Sequence, residues 1–164
     1  MRANKVLRGA ALAIAAVFAS GGGEAASPLA FSNSADSDRF HPVAQSGPTP
    51  IAGVALDLAQ PSNVLVQFSS GATAETTKGR PCSIRAFLRM DGGALQPVKR
   101  INIGSPGAME GTGYAHDRQS LDGSLVFPAD AGARAFELVV QQVTGTSADL
   151  RIYYPNLQAI AFPR

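Results

Sequence analysis

The chain has 164 residues, with 14 basic and 12 acidic side chains, one cysteine and two histidines. A single cysteine excludes an internal disulfide, and so few cysteines and histidines argue against a structural zinc site. Without residues 1–25 the chain carries 11 basic and 11 acidic groups, which argues against nucleic acid or an anionic membrane as a partner.

Residues 1–25 have the pattern of a secretory signal peptide. Basic residues at positions 2, 5 and 8 precede the apolar run GAALAIAAVFA (9–19), and Gly23-Glu24-Ala25 supplies a cleavage tripeptide. A membrane anchor is the alternative interpretation, but the run is short for a bilayer span. We therefore expect a secreted or periplasmic protein of about 139 residues, enough for one domain with one core.

Residues 26–50 are rich in Ser, Asp, Pro, Ala and Gly and show little periodicity. This composition predicts a flexible or loosely docked N-terminal arm, on which His41 is solvated.

From residue 51 onward, short segments of alternating apolar and polar residues are separated by turn residues. Such alternation is typical of strands, whose side chains point to opposite faces in turn. Asp91-Gly92 predicts a tight hairpin, Pro97 predicts an edge or a bulge, and Pro155-Asn156 predicts a strand break. A helix over 130–143 is the alternative for one segment, disfavoured by Gly132 and by the paired valines. The predicted strands are 51–59, 63–70, 82–90, 94–103, 124–129, 134–143, 148–154 and 157–162.

These segments predict an all-β fold, a single β-sandwich of about eight antiparallel strands over residues 51–164. Jelly-roll order is the first expectation and immunoglobulin-like order the alternative. Periodicity does not decide between the two orders, because both bury the same alternate residues.

Four stretches, NVLVQFSS, a strand ending RMDG, LVFPADAGARAFELVVQQVTGTSADLRI and LQAIAF, resemble small secreted bacterial jelly-roll proteins. That group is distantly similar to the tumour necrosis factor and complement globular-head proteins. The resemblance covers roughly residues 50–164 and implies a sandwich that forms trimers. It transfers no catalytic residue, because such folds carry many unrelated functions.

The stretch EGTGYAHDRQSLDG (110–123) brings several reactive residue types together. A hydrolytic arrangement would need His116 as base, Asp117 or Asp122 behind it, and Ser120 as nucleophile. Ser120 lacks the glycine-flanked context that exposes such a nucleophile, so we predict a polar recognition loop that includes Tyr114. Glu110, Asp117 and Asp122 also suggest calcium, although their spacing fits no twelve-residue calcium loop.

The strand CSIRAFLRM (82–90) places Cys82 on the apolar face, where we expect a buried and inert thiol. Arg85, Phe87 and Arg89 take the other face, and Arg151 and Tyr153 repeat this pattern on a later strand. The favoured interpretation is that other parts of the protein cover these rings. If the two strands are neighbours, however, the side chains form one aromatic-basic binding patch.

No catalytic constellation is encoded, so we predict a non-enzymatic exported protein without a cofactor. It would act through surface binding or self-association, with a protein partner or with copies of itself. A carbohydrate-binding module is the alternative, and a small secreted hydrolase using the 110–123 loop is the distant third.

Overall fold

The computed structural model describes residues 28–33, 39–74, 82–103, 118–145 and 147–164. Within these segments, no apolar helix is long enough to cross a membrane. The predicted signal peptide lies outside them. The strands are β1 (Leu29–Asn33), β2 (Phe40–Pro42), β3 (Thr49–Leu58), β4 (Ser62–Ala74), β5 (Cys82–Met90), β6 (Gln96–Ile103), β7 (Gln119–Ala129), β8 (Gly132–Thr144) and β9 (Leu150–Pro163).

The strands form two antiparallel sheets packed face to face. Sheet I has the order β1-β9-β4-β7, with β2 beside β9, and sheet II has the order β3-β8-β5-β6. The pairs are nested: β5 pairs with β6, β4 with β7, β3 with β8 and β1 with β9. Nested pairing shared between two sheets is the jelly-roll arrangement, so the first expectation is confirmed and immunoglobulin-like order is excluded.

Strands β1 and β2 come from the segment predicted to be a flexible or loosely docked arm. Both pair with β9 along one edge, and β3 begins at Thr49, before the predicted domain boundary. The prediction of a flexible arm is therefore corrected. The prediction that His41 is solvated is corrected too, because His41 is half-buried in β2. The physical reason is that the open edge of β9 offers unpaired backbone groups, and even strands as short as β1 and β2 satisfy them by pairing there.

The predicted hairpin between β5 and β6 is confirmed. Asp91 and Gly92 have φ of 52° and 68°, the positive values that the tight turn requires. Pro97 lies in the edge strand β6 beside a register shift, as predicted.

The predicted break at Pro155-Asn156 is wrong, because β9 continues through it as one strand. The register against β4 shifts between Ser69 and Gly71, and Tyr154 takes a positive φ of 50°. A bulge absorbs the irregularity at the proline, and pairing resumes on both sides.

The core lies between the two sheets and is built from the alternate residues of each strand. On β5 these are Cys82, Ile84, Ala86 and Leu88, all buried as predicted. Phe127 of sheet I and Phe136 of sheet II meet across the interior with ring centroids 5.7 Å apart.

Gly123 of β7 lies where the edge of sheet I meets β6 of sheet II. A Cβ there would stand 2.7 Å from a Val98 methyl and 3.1 Å from the Phe68 ring. We expect Gly123→Ala to lower the free energy of unfolding by about 1–3 kcal/mol, because an overpacked interior must shift. Chemical denaturation measures this change.

The matched control is Gly53→Ala on β3, where the nearest atom to a new Cβ is 3.7 Å away. Since alanine has less chain entropy to lose, this variant should be neutral or more stable by about 0.5–1 kcal/mol. Equal losses at both positions would contradict the close packing at Gly123.

Candidate functional site

The predicted aromatic-basic residues lie on opposite sides of the molecule. β5 belongs to sheet II and β9 to sheet I, with the core between them. Arg85, Phe87 and Arg89 are on the outer face of sheet II, whereas Arg151 and Tyr153 are on the outer face of sheet I. The single combined patch is therefore wrong, because its two strands are not neighbours.

Phe87 is only 9% exposed, although it lies outside the core. Its cross-strand partners are Val139 on one side and Pro97 on the other, so the ring belongs to an apolar row across the outer face. The favoured interpretation, a covered ring, is confirmed. Phe87 offers no open face for a sugar to stack on.

The two arginines beside Phe87 differ in their partners. Arg89 Nε donates to Glu137 Oε2, so this guanidinium is neutralised within sheet II. Arg85 pairs across the strands with Arg100, another cation. Within the described segments Arg85 has no ion pair or side-chain hydrogen bond. Sequence reasoning missed Arg100, because β6 shows no aromatic-basic alternation.

Tyr153 is 4% exposed and lies in a cluster of stacked cations and rings at one end of sheet I. The Arg118 guanidinium lies 4.0 Å from its ring centroid, and the Phe40 ring lies 5.9 Å away. Arg151 in turn covers Phe40 at 4.1 Å. Tyr153 is thus covered on its outer side, which is the favoured interpretation for this ring as for Phe87.

The bulge in β9 brings Tyr154 to the same side as Tyr153, with ring centroids 6.2 Å apart. Arg118 Nη1 donates to the Tyr154 hydroxyl at 2.6 Å. Gly71 of β4 lies beneath this contact, and a Cβ added there would be in ordinary van der Waals contact with Arg118, at 3.6 Å from its Cβ. Sequence reasoning missed Phe40, Arg118 and Tyr154. The nearest sequence signal is Pro155-Asn156, which predicts a strand break.

His41 neighbours this cluster on β2, opposite Ile152 of β9. Burial lowers the pKa of the imidazole, and the nearby Arg39 charge lowers it further. Both effects favour the neutral ring.

The recognition loop is described only at its end. Tyr114, His116 and Asp117 lie outside the described residues, so their roles stay predictions. Asp122 lies on β7, accepts a hydrogen bond from Ser120 Oγ at 2.9 Å, and pairs with Lys99 of sheet II at 3.6 Å. Asp122 therefore links the facing edges of the two sheets.

No group of three or more His, Cys, Asp or Glu residues that could hold a metal occurs in the part of the chain that the structure describes. The calcium hypothesis depends on Glu110 and Asp117, which fall outside that part, and stays untested.

The outer face of sheet I carries an exposed apolar strip that crosses four strands. Its central row is formed by cross-strand partners, in the order Leu29, Ile160, Leu65 and Val126. Phe31 lies in the next row on one side of it and Phe162 in the next row on the other. We call Leu29, Leu65, Val126, Ile160, Phe31 and Phe162 the apolar strip. Phe31 is 71% exposed, Leu29 57% and Val126 54%.

Next to the apolar strip lies a shallow polar groove of about 330 Å³ on the same face. Gln158 Nε2 donates to Gln67 Oε1 at 2.8 Å in its floor. The polar groove consists of Gln67, Ser69, Asp122, Ser124, Asn156 and Gln158. The outer face of sheet I thus combines exposed apolar groups with amides and hydroxyls.

No family model and no curated protein matches the sequence. The chain is similar in structure to "Eiger TNF from S. frugiperda", with 12% identity, a TM-score of 0.48, and coverage of 83% of this chain and 93% of that one. It is also similar to the "xylan-binding module CBM15", with 13% identity, a TM-score of 0.34 and coverage of 84% and 92%. A third structure, titled "CBM4 structure and function", has 15% identity, a TM-score of 0.25 and coverage of 74% and 78%. At these identities the likeness concerns the fold alone.

Proposed function

We propose that this protein is an exported, non-enzymatic module that assembles with copies of itself through the outer face of sheet I. The observation that supports this is the apolar strip, an unbroken row over four strands with Phe31 and Phe162 beside it. Contiguous exposed apolar surface rimmed by polar groups is typical of interaction sites, because covering it removes apolar area from water.

The chemistry of the face suits a second copy. Across the rows from Asn63 to Ser69, Asp122 is the only ionisable side chain among the described residues, and Lys99 neutralises it. Two such faces meet without charge repulsion. The amides and hydroxyls of the polar groove both donate and accept hydrogen bonds, so the rim of one copy can satisfy that of another.

The size of the face predicts a reversible assembly. Four strands about 4.8 Å apart, over roughly seven residues each, give on the order of 500 Å² per copy. A standard interface covers about 800 Å² per partner, so we expect association at micromolar concentrations. A face that meets the same face of a second copy closes a two-fold dimer, so we expect two copies. The trimer that the sequence resemblance implies would need two different contact patches on each copy.

Val126→Lys tests this proposal. The substitution places a charge on the edge strand β7, at the end of the row and on its most exposed valine. We expect about a 10- to 100-fold weaker association, equivalent to losing the burial of one aliphatic side chain. Sedimentation velocity over a concentration series of the purified protein measures the change.

The matched control is Val143→Lys on sheet II, where Val143 is also exposed and lies outside the apolar strip. This variant should assemble like the parent protein. A parent protein that stays monomeric at about 100 µM, or equal weakening by the two substitutions, would overturn the proposal.

A further inference from the structure

The outer face of sheet II places two arginines directly opposite each other. Arg85 of β5 and Arg100 of β6 are cross-strand partners in an antiparallel pair. Like charges at such positions repel and destabilise a sheet. The two juxtaposed charges therefore do not stabilise the sheet, and an anion bound between them would relieve their repulsion.

In the described segments, the other basic side chains around sheet II are neutralised. Arg89 pairs with Glu137, Arg134 with Asp91 at 3.1 Å, and Lys99 with Asp122 at 3.6 Å. Among the described residues, neither Arg85 nor Arg100 has a carboxylate partner.

Arg100 is held in position without being neutralised. Its Nη2 donates to Ser83 Oγ at 3.1 Å and to Thr144 Oγ1 at 3.4 Å. Hydroxyl acceptors orient the guanidinium and leave its charge in place. The side chain of Arg85 is half-buried on the same face, so both cations are partly ordered before any ligand arrives.

The two arginines line a groove of about 340 Å³ together with Pro97, Val98 and Lys99. This volume is at the lower end of the range for small-molecule sites. The planar guanidinium donates two parallel hydrogen bonds to a carboxylate or sulfate. Pro97 is exposed beside the two arginines and adds an apolar surface, which suits the C–H face of a sugar ring.

We propose that this groove binds an acidic saccharide, with a uronate carboxylate or a sulfate ester between Arg85 and Arg100 and the sugar ring against Pro97. Recognition then depends on the charge at the edge of the sugar, because the Phe87 ring is buried. Among the described residues, Arg85 and Arg100 are the two groove cations without a carboxylate partner, since Lys99 pairs with Asp122. Two such cations suit one acidic group at a time better than a nucleic acid. The groove lies on the sheet opposite the apolar strip, so it does not depend on self-association.

Isothermal titration calorimetry with an oligogalacturonate and with its fully methyl-esterified form tests whether binding requires the negative charge. The two ligands share the same sugar backbone and differ in the charge of the carboxyl groups. We expect binding of the acid and at least about tenfold weaker binding of the ester. Arg85→Gln and Arg100→Gln should each weaken binding of the acid about 10- to 100-fold. Arg164→Gln, the same charge change on sheet I, should stay within about twofold of the parent.

Arg85→Glu separates binding from folding. It converts the repulsive pair into an attractive one, so we expect lost binding together with a melting temperature about 1–4 °C higher. The proposal is overturned if the acid fails to bind at millimolar concentration or the ester binds equally well. Tighter binding of a hexaglutamate peptide, or equal losses in Arg85→Gln and Arg164→Gln, would also overturn it.

Discussion

Replacing Phe136 with alanine should lower the free energy of unfolding by about 3–5 kcal/mol, the range for removing a buried phenylalanine side chain. Phe136 is 0% exposed and lies on β8, between β3 and β5 in sheet II. Its ring meets Phe127 of sheet I, so it fills the space that joins the two layers. Removing the ring would leave a cavity between the sheets. Because the neighbouring residues are held in two hydrogen-bonded sheets, they would move little and the cavity would stay largely open.

Denaturant unfolding monitored by circular dichroism measures this loss. Phe136→Leu is the matched variant, and it should cost less than the alanine change because it retains more of the side-chain volume. A loss below about 1 kcal/mol for Phe136→Ala would contradict close packing of the two sheets at this level.

Gln142→Met should cost about 2–4 kcal/mol, although the two side chains have similar size. The Gln142 amide lies in a buried position at the end of β8. Its Nε2 donates to the carbonyl oxygens of Val43 at 3.2 Å, Ala44 at 3.2 Å and Ser147 at 2.8 Å, and its Oε1 accepts from Ser147 N at 2.8 Å. Methionine would leave these backbone groups without partners where water has little access.

Gln141→Met is the control for this prediction. Gln141 is the next residue on the same strand, half-buried on the outer face, and its side chain makes no hydrogen bond to any residue in the described ranges. We expect a change within about 0.5 kcal/mol there. If both variants lose the same stability in thermal and chemical unfolding, the four hydrogen bonds of Gln142 are not the cause.

The local parts of the fold follow from the sequence because short-range geometry decides them. The alternation in residues 82–90 predicts a strand with Ile84 and Leu88 inward, and both are fully buried. Asp91-Gly92 predicts its hairpin because only a few residue types adopt two successive positive φ values. The strands β1 and β2 escaped prediction because they are only five and three residues long, too short for alternation to show, and both are held by pairing with the edge of β9.

The candidate sites depended on strand neighbours, which periodicity does not encode. Phe87 and Tyr153 show the same sequence pattern, yet one lies on each sheet. Arg85 meets Arg100 through a hairpin with a register shift, and Arg118 reaches Tyr153 over a glycine of a third strand. The apolar strip combines four strands that are far apart in the chain.

The sequence by itself determined which residues face the interior, where the tight turn lies and that the chain builds a sandwich. Only the tertiary structure decided which strands adjoin, and hence that Arg85 lies opposite Arg100 and that Leu29 continues the row of Val126. The physical reason is that side-chain alternation specifies the buried face of each strand. Backbone hydrogen bonds are nearly the same for every residue, so the choice of neighbour is made by packing of the whole sandwich.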